Sequence, residues 1–508
     1  MNSSEIDNSR TIKLIEELGA NSQVSVLKMQ RSVIGIYISS SWYNSINGKI
    51  MLEFLVDILI RMFNTIIIEV EGINPLISDF YLITLIQKAK NINKNMYLGN
   101  IDMCTISLMI GNNYTQKKCS IYISCNGWEA YSGYEMVEIK AEDSIINPIG
   151  ASLSSAFGAA EIFKCILKEE LESANKKLTF KNIKFSAFTY ASSINSKNPV
   201  LPDQMDIRDT ILVGAGAVGM AFIAVLKHLN ISGNLTIIDH DTIDISNLDR
   251  YIGVYSGNIN SKKTAVAKTT LSHLHSLNVI EINSKYQQYI ESFGRVIDLA
   301  ICTVDNDETR QELQCDLPRI LLNGVTGQST FSVSRHDFMN NGCLGCLYPI
   351  EKNKFVNEEK YSHALGIAVG DFTKRYENNI PLTQTDIERL IKYINNQKIN
   401  IEMKVGMTLR DFLADHEICG RLNIPGDSQI HGTIGFVSAI PGILLAAELI
   451  KERYFIDYVL NNLFHSDTLA GPSNHSLQLR KKNNECSSYC FDPIMLDVYK
   501  SKYVEPCI

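Results

Sequence analysis

At 508 residues, 45% of them hydrophobic and 20% charged, the chain is too long for one core and has the make-up of a folded globular protein, with roughly two to four domains expected from length. Its 48 Lys and Arg against 55 Asp and Glu leave a net charge of −7 with no long basic block, which argues against nucleic acid as the main partner. The first residues, MNSSEIDNSR, lack the pattern of an export signal, and twelve cysteines in such a chain read as reduced thiols, metal ligands or a nucleophile rather than a disulfide frame, so a cytoplasmic protein is expected.

In chain order, the N-terminal part alternates strand-like runs (SVIGIYISS, TIIIEVEG, CSIYISCNG) with helical patterns such as KIMLEFLVDILIRMF, which points to parallel α/β structure. It closes with NPIGASLSSAFGAAEIFKCILKEELE, a helix rich in small residues. A polar, Pro-containing linker follows near residues 190–206. The second part opens with DTILVGAGAVGMAFIAVLKHL, NLTIIDHD and VIDLAICTVDN, short apolar strands ending in Gly or Asp, as in a doubly wound Rossmann-like sheet. Its closing segment, AIPGILLAAELIKERYF, again sets Pro and Gly near a helix start and follows small residues with an acid, so the chain reads as two related α/β halves. That run is short for a membrane span and is expected to be a buried helix, so no membrane is implied. The expected layout is a degenerate α/β domain over 1–195 and a nucleotide-binding domain over 205–508. A charged, Asn-rich segment at about 351–432, with a helix near TQTDIERLIKYINNQ, is inserted in the second.

GAGAVG, with Gly214, Gly216 and Gly219, follows a strand and opens a helix, so backbone N–H groups can approach a phosphate. Asp239 lies at the end of the next strand, where a carboxylate accepts from ribose hydroxyls. Alone these would indicate a dinucleotide. The residues that follow, Asn247, Arg250 and Lys263, add the charge needed around a triphosphate whose pyrophosphate must leave. Asp305, ending another strand in ICTVDNDETR, is placed to hold Mg²⁺ between phosphate oxygens. Lys262 adjoins Lys263, so either could be the phosphate lysine, while Asp241 and Asp244 are expected to cap or orient the loop.

GAGAVG, IIDHDTIDISNLDR, SKKTAVA and CTVDNDETR, in this order, resemble the adenylation domain shared by ubiquitin-activating (E1) enzymes and bacterial ThiF/MoeB proteins, over roughly 205–350 and again at 430–455. The resemblance implies ATP and Mg²⁺ as cofactors, with Asp239 on ribose, Asn247 and Arg250 on phosphates, Lys263 on the α-phosphate and Asp305 on Mg²⁺. Where the family has Arg-Gln, this chain has Arg250-Tyr251, which leaves the arginine role intact.

Cys343 and Cys346 (GCLGC) and Cys486 and Cys490 (ECSSYC) have metal-ligand spacing, and four thiolates would complete a structural Zn²⁺ site. ThiF and E1-like enzymes resemble this, although here the second pair is CxxxC. Cys419, in the inserted segment, stands where E1-like enzymes carry the thiol that captures the activated carboxyl. His416 and Arg421 could favour its thiolate, while Cys315 and Cys507 are competitors. The N-terminal half has no GxGxxG and is not expected to bind ATP. In two-halved E1 enzymes such a half contributes an arginine to the active site, here Arg10, Arg31 or Arg61.

The resemblance thus implies an E1-like enzyme that adenylates the C-terminal Gly carboxylate of a ubiquitin-like or sulfur-carrier protein. It would pass the acyl group through Cys419 to an E2-like partner, as in bacterial conjugation systems associated with antiphage defence. A peptide-modifying ThiF-like adenylase is the alternative, ahead of a nucleotide-binding scaffold and an NAD-dependent oxidoreductase. Either a monomer acting as an internal pseudo-dimer or a homodimer would fit.

Overall fold

The computed structural model describes residues 9–73, 79–93, 95–111, 120–141, 146–192, 198–294, 296–348, 362, 366–378, 380–395, 405–409, 432–473, 475–483, 486, 490 and 492–503. The chain forms two compact units, one of residues 1–349 with 432–508 and one of residues 350–431.

The larger unit contains two sheets. The first is built from β1 (Val33–Ile38), β2 (Thr65–Val70), β3 (Asn95–Leu98), β4 (Ile106–Ile110), β5 (Ser120–Asn126), β6 (Glu129–Gly133) and β7 (Ile183–Ser186), in the order β3-β2-β1-β4-β5-β6-β7. The second contains β8 (Met205–Val213), β9 (Ile231–Ile238), β10 (Leu277–Ile282), β11 (Leu299–Cys302), β12 (Ile320–Thr326), β13 (Thr330–His336), β14 (Leu463–Asp467) and β15 (Leu477–Gln478), in the order β10-β9-β8-β11-β12-β13-β14-β15. In each sheet the first five strands in that spatial order run parallel, and the later ones are joined antiparallel. Renumbered from its own first strand, the second sheet repeats the first and adds one short strand at the edge. Runs such as Ile66–Ile68 and Ala300–Cys302 are buried because helices cover both faces of the parallel part.

Between the sheets lie the two small-residue helices, Pro148–Ile166 and Gly435–Tyr454, with Phe163 against Phe436 at a ring separation of 5.5 Å. Small residues are needed because the backbones are close. A Cβ on Gly442 would sit 2.5 Å from the Val218 carbonyl oxygen of the neighbouring helix Ala217–Leu226. Both central helices carry the sequence Ala-Ala-Glu-x-x-Lys, and in both the acid and base form a buried ion pair one turn apart. Glu161 and Lys164 meet at 2.7 Å and Glu448 and Lys451 at 2.5 Å. Each pair gains a phenol, from Tyr134 on Glu161 and Tyr190 on Glu448, and each lysine donates to backbone carbonyls, so the desolvated charges are hydrogen-bonded as burial demands. Among the described residues, Pro148–Ile166 is also the helix long and apolar enough to cross a membrane, and 94% of its apolar window is buried inside the molecule.

The two halves are also tied by charge. Glu53, on the helix Ile46–Leu59, accepts from Lys227 at 2.5 Å and lies 3.4 Å from His228, just past the helix Ala217–Leu226. Burial pushes the Glu53 carboxyl up, but His228 and Lys227 outweigh it and hold it below the usual carboxylate range. A carboxylate held low stabilises the fold fully above its unfolded value of about 4.3, and that stabilisation fades as pH falls toward the lower folded value. Glu53→Gln is therefore expected to lose roughly 1–3 kcal/mol at neutral pH. In urea titrations the gap between variant and parent should begin to narrow below about pH 4; a gap independent of pH would contradict this account.

In the smaller unit the expected helix is present as Gln384–Asn395, preceded by Val369–Glu377. Asp386 accepts from the Thr383 amide and hydroxyl and from Arg375 at 2.9 Å, fixing the entry to the second helix. Phe372, Leu382, Ile387 and Leu390 are buried.

Candidate functional site

The candidate site lies at the C-terminal ends of β8, β9 and β11, where the chain crosses from one side of the sheet to the other. After β8 the chain turns at Gly214 with φ +96°, a conformation that favours glycine, and Gly216 starts the helix Ala217–Leu226 without a side-chain cap. A Cβ on Gly219 would lie 2.3 Å from the Gly214 carbonyl oxygen, and the Thr303 hydroxyl donates to that same oxygen at 2.5 Å. The turn is thus tight, and the first-turn N–H groups of the helix are left for an anion.

Asp239 follows β9. Its Oδ2 accepts from the Ala215 amide at 2.7 Å and its Oδ1 from the Asp241 amide at 2.8 Å. The carboxylate is therefore held against the glycine turn, with lone pairs left for ribose hydroxyls. Asp244 and Asn247 form a reciprocal cap: Asp244 accepts from the Ser246 amide, and the Asn247 Oδ1 accepts from the Asp244 amide. That leaves the Asn247 Nδ2 as the donor for a ligand.

Arg250 is 8% exposed and donates to Asp249 and to the Ser246 carbonyl, both at 2.7 Å. Lys263 is the first residue of the helix Lys263–Thr270, and its Nζ meets Asp241 at 2.8 Å. Burial lowers its pKa, but Tyr251, Asp239 and Asp241 raise it more, so the amine stays charged. Lys262, one residue earlier at the N-cap, instead donates to the His240 carbonyl. Of the two lysines left open by the sequence, Lys263 is the one turned into the site. Asp241 and Asp244 orient the loop, by an ion pair and by a cap.

Tyr251 plays a larger part than its sequence context indicated. Two cations lie over its ring, with the Arg250 guanidinium carbon 5.3 Å and the Lys263 Nζ 5.8 Å from the centroid. Its hydroxyl is 3.6 Å from where a Cβ on Gly216 would be. It therefore gathers the two basic groups beside the glycine turn.

Asp305 is exposed beyond β11, within electrostatic reach of Arg250. The sequence left three arginines of the N-terminal half open. Arg10, on the helix Ser9–Glu17, is the one brought to the site: burial, then the charge of Arg250, push its pKa down, while Asp249, Tyr251 and Asp305 act the other way. Arg61 has a different task. Buried, it donates to the carbonyls of Leu248 and Val254 and pairs with Asp57 at 2.9 Å, and Asp57 in turn accepts from the Gly253 amide. The N-terminal half thus clamps both ends of the 248–254 loop that carries Arg250. Arg31 ends the helix Ser22–Arg31 and lines a different groove.

Cys343, Cys346, Cys486 and Cys490 converge, with all four sulfurs within 4.8 Å of one another. Recorded separations run from 2.8 Å (Cys343–Cys490) to 3.8 Å (Cys343–Cys346), against roughly 3.8 Å for four sulfurs bound tetrahedrally at about 2.3 Å from zinc. The Asn483 amide donates to the Cys346 sulfur at 3.3 Å, the kind of outer hydrogen bond that thiolate ligands take. The donor set fits Zn²⁺. Beside it the helix Pro493–Tyr503 docks through Tyr499 onto the Arg319 carbonyl and Lys502 onto the Asp316 carbonyl. Cys419, His416, Arg421 and Cys507 lie outside the described residues.

A model of the ThiF family matches residues 190–488. Uncharacterized protein y4jF of Sinorhizobium fredii is 27% identical over 503 residues, which cover 94% of this chain and 93% of that one. The NEDD8-activating enzyme E1 catalytic subunit of Schizosaccharomyces pombe is 33% identical over 117 residues, 22% of this chain and 26% of its own length. The molybdopterin-synthase adenylyltransferase of Haemophilus influenzae is 31% identical over 118 residues, 22% of this chain and 47% of its own. The chain therefore spans nearly all of the first relative and less than half of the other two.

Proposed function

The chain belongs to the ThiF family, and from that premise we propose that it is an E1-like adenylyltransferase acting on the C-terminal carboxylate of a ubiquitin-like or sulfur-carrier protein. The observation that carries the reading is the convergence of Asp239, Arg250, Lys263, Arg10 and Asp305 around one uncapped helix N-terminus. A dinucleotide needs no such set of cations; a triphosphate does.

In this reading Asp239 accepts from the ribose and the glycine turn receives phosphate oxygens. A carboxylate oxygen of the substrate bonds to the α-phosphorus, and the α–β bridging bond breaks. Pyrophosphate leaves with the electron pair, and an acyl-adenylate remains. Lys263 and Arg250 stabilise charge that grows on the phosphoryl oxygens, and Arg10 adds a third cation from the other half. Asp305 would hold Mg²⁺, which when bound supplies further neutralisation of the triphosphate. Cys343, Cys346, Cys486 and Cys490 would hold a structural Zn²⁺ away from this chemistry.

The relatives named above support a small carrier or ubiquitin-like protein as the substrate class. Both sheets belong to one compact unit, which supports an internal pseudo-dimer in a single chain. Cys419, in the inserted segment, is the proposed thiol acceptor, from which the acyl group would pass to an E2-like protein.

The test uses the purified chain with Mg·ATP and candidate small proteins ending in Gly, read on reducing and non-reducing gels. A thiol-sensitive adduct that disappears in Cys419→Ala supports the full route. Pyrophosphate exchange without an adduct would move the assignment to a peptide-modifying adenylase. Absence of exchange with every carboxylate substrate would overturn adenylation itself.

A further inference from the structure

The two sheets can be superposed residue by residue through their registers. Ile38 pairs with Val70 and Ile110 in the first, as Val213 pairs with Ile238 and Cys302 in the second. One residue further on, Glu71 therefore takes the place of Asp239 and Gly111 that of Thr303, and two residues on, Ser40 takes that of Ala215. The hydrogen bond is kept as well. The Ser40 amide donates to Glu71 Oε2 at 2.8 Å, as the Ala215 amide donates to Asp239 Oδ2 at 2.7 Å. Beside Glu71, at the C-terminal ends of β1, β2 and β3, lies a cavity of about 310 Å³, bounded by Glu71, Gly72 and Gly99 and floored by Ile68, Leu82 and Leu98. That volume is at the small end of the roughly 300–1,000 Å³ usual for ligand sites.

The phosphate half of the site has gone. The turn after β1 reads Ser39-Ser40-Ser41-Trp42, with no glycine pair, and the helix it opens has only four residues. The Trp42 indole, 2% exposed, presses on Gly111, where a Cβ would lie 1.8 Å from the ring. Glu69 and Glu71 line the cavity, while Lys and Arg are absent from its lining among the described residues. An anion is repelled there; a neutral ligand with paired hydroxyls is not.

We propose that the N-terminal half holds a second pocket, one that takes an uncharged ribonucleoside, with Glu71 accepting from its 2′- and 3′-hydroxyls and the base on the apolar floor. This rests on the reading of Asp239 as the ribose acid, since Glu71 takes its function from that equivalence. The probe is adenosine, titrated calorimetrically into the full chain already saturated with a non-hydrolysable ATP analogue.

The expected result is one adenosine bound per chain, with affinity at least tenfold lower for 2′,3′-dideoxyadenosine and for adenosine with Glu71→Gln. Glu71 is exposed, so thermal unfolding of the variant should match the parent. No binding of adenosine to the saturated chain, or binding indifferent to both the hydroxyls and Glu71, would overturn the pocket. Asp239→Asn separates the two assignments: it should weaken the ATP analogue and leave adenosine at Glu71 unchanged. An ATP-analogue affinity untouched by Asp239→Asn would overturn the ribose reading at its source.

Discussion

Asp305→Ala is expected to lower ATP–pyrophosphate exchange by about 10²–10³-fold, while thermal unfolding stays within about 0.5 kcal/mol of the parent. The two expectations separate because Asp305 is exposed and ends a strand whose own residues, Leu299–Cys302, are fully buried. Removing the carboxylate takes nothing from the core. What it takes is an acidic group that, like the buried Asp249, shares electrostatic contact with both Arg250 and Arg10, but is itself open to a ligand. On the proposed assignment, Mg²⁺ on the triphosphate would lose its protein ligand, and the two guanidiniums would lose part of the negative charge that offsets their mutual repulsion. Asp305→Asn should fail nearly as badly, because an amide keeps the shape and supplies no charge. Retention of more than half the parent exchange rate by either variant would refute the assignment.

The second large effect concerns the four cysteines. Purified chain should contain about one zinc per polypeptide, and Cys490→Ser should lower that sharply and cost about 4–5 kcal/mol of stability. Cys343 and Cys490 are fully buried, and their pairs are separated by more than a hundred residues, so the site closes a long loop of chain. Loss of the metal leaves thiols crowded at the separations recorded above. The helix Pro493–Tyr503 then keeps its hydrogen bonds to Ile297, Asp316 and Arg319 and the packing of Tyr499 on Phe338, but loses the metal anchor ahead of it. Limited proteolysis should therefore cut ahead of residue 493 in the variant, or after chelation, well before the sheets are attacked. Metal-free parent protein that resists both chelator and protease would overturn the structural role.

Why part of this was legible in sequence, and part was not, follows from the range of each signal. The glycine turn, Asp239 and Asp305 are punctuation at strand ends, fixed by spacing along one stretch of chain, and the structure brings them to one crevice. Lys262 and Lys263 could not be separated by spacing. What divides them is one step of a helix start, which aims the N-cap residue outward and the next inward. Arg10 could not be chosen over Arg31 and Arg61, because nothing local marks a side chain that reaches a site some 240 residues away (250 − 10 = 240). Tyr251 reads as a small departure, since its contact with two cations exists only in three dimensions. Glu71 was invisible for the same reason: its equivalence to Asp239 is defined by strand register, and the motif that would have flagged it has been lost around it. The repeated helix shows in the sequence through its small residues and its acid, whereas the pairing of that acid with Lys164 or Lys451 is a property of the fold.

The tilted contact of Phe163 with Phe436 has a historical reading. A single ancestral half could have mated with its own copy through that helix. Joining two such copies in tandem would have freed one of them from having to do chemistry. The liberated copy has no need of a turn that meets phosphate, but its sibling still leans on it at Arg61, whose loss would free both ends of the loop that carries Arg250.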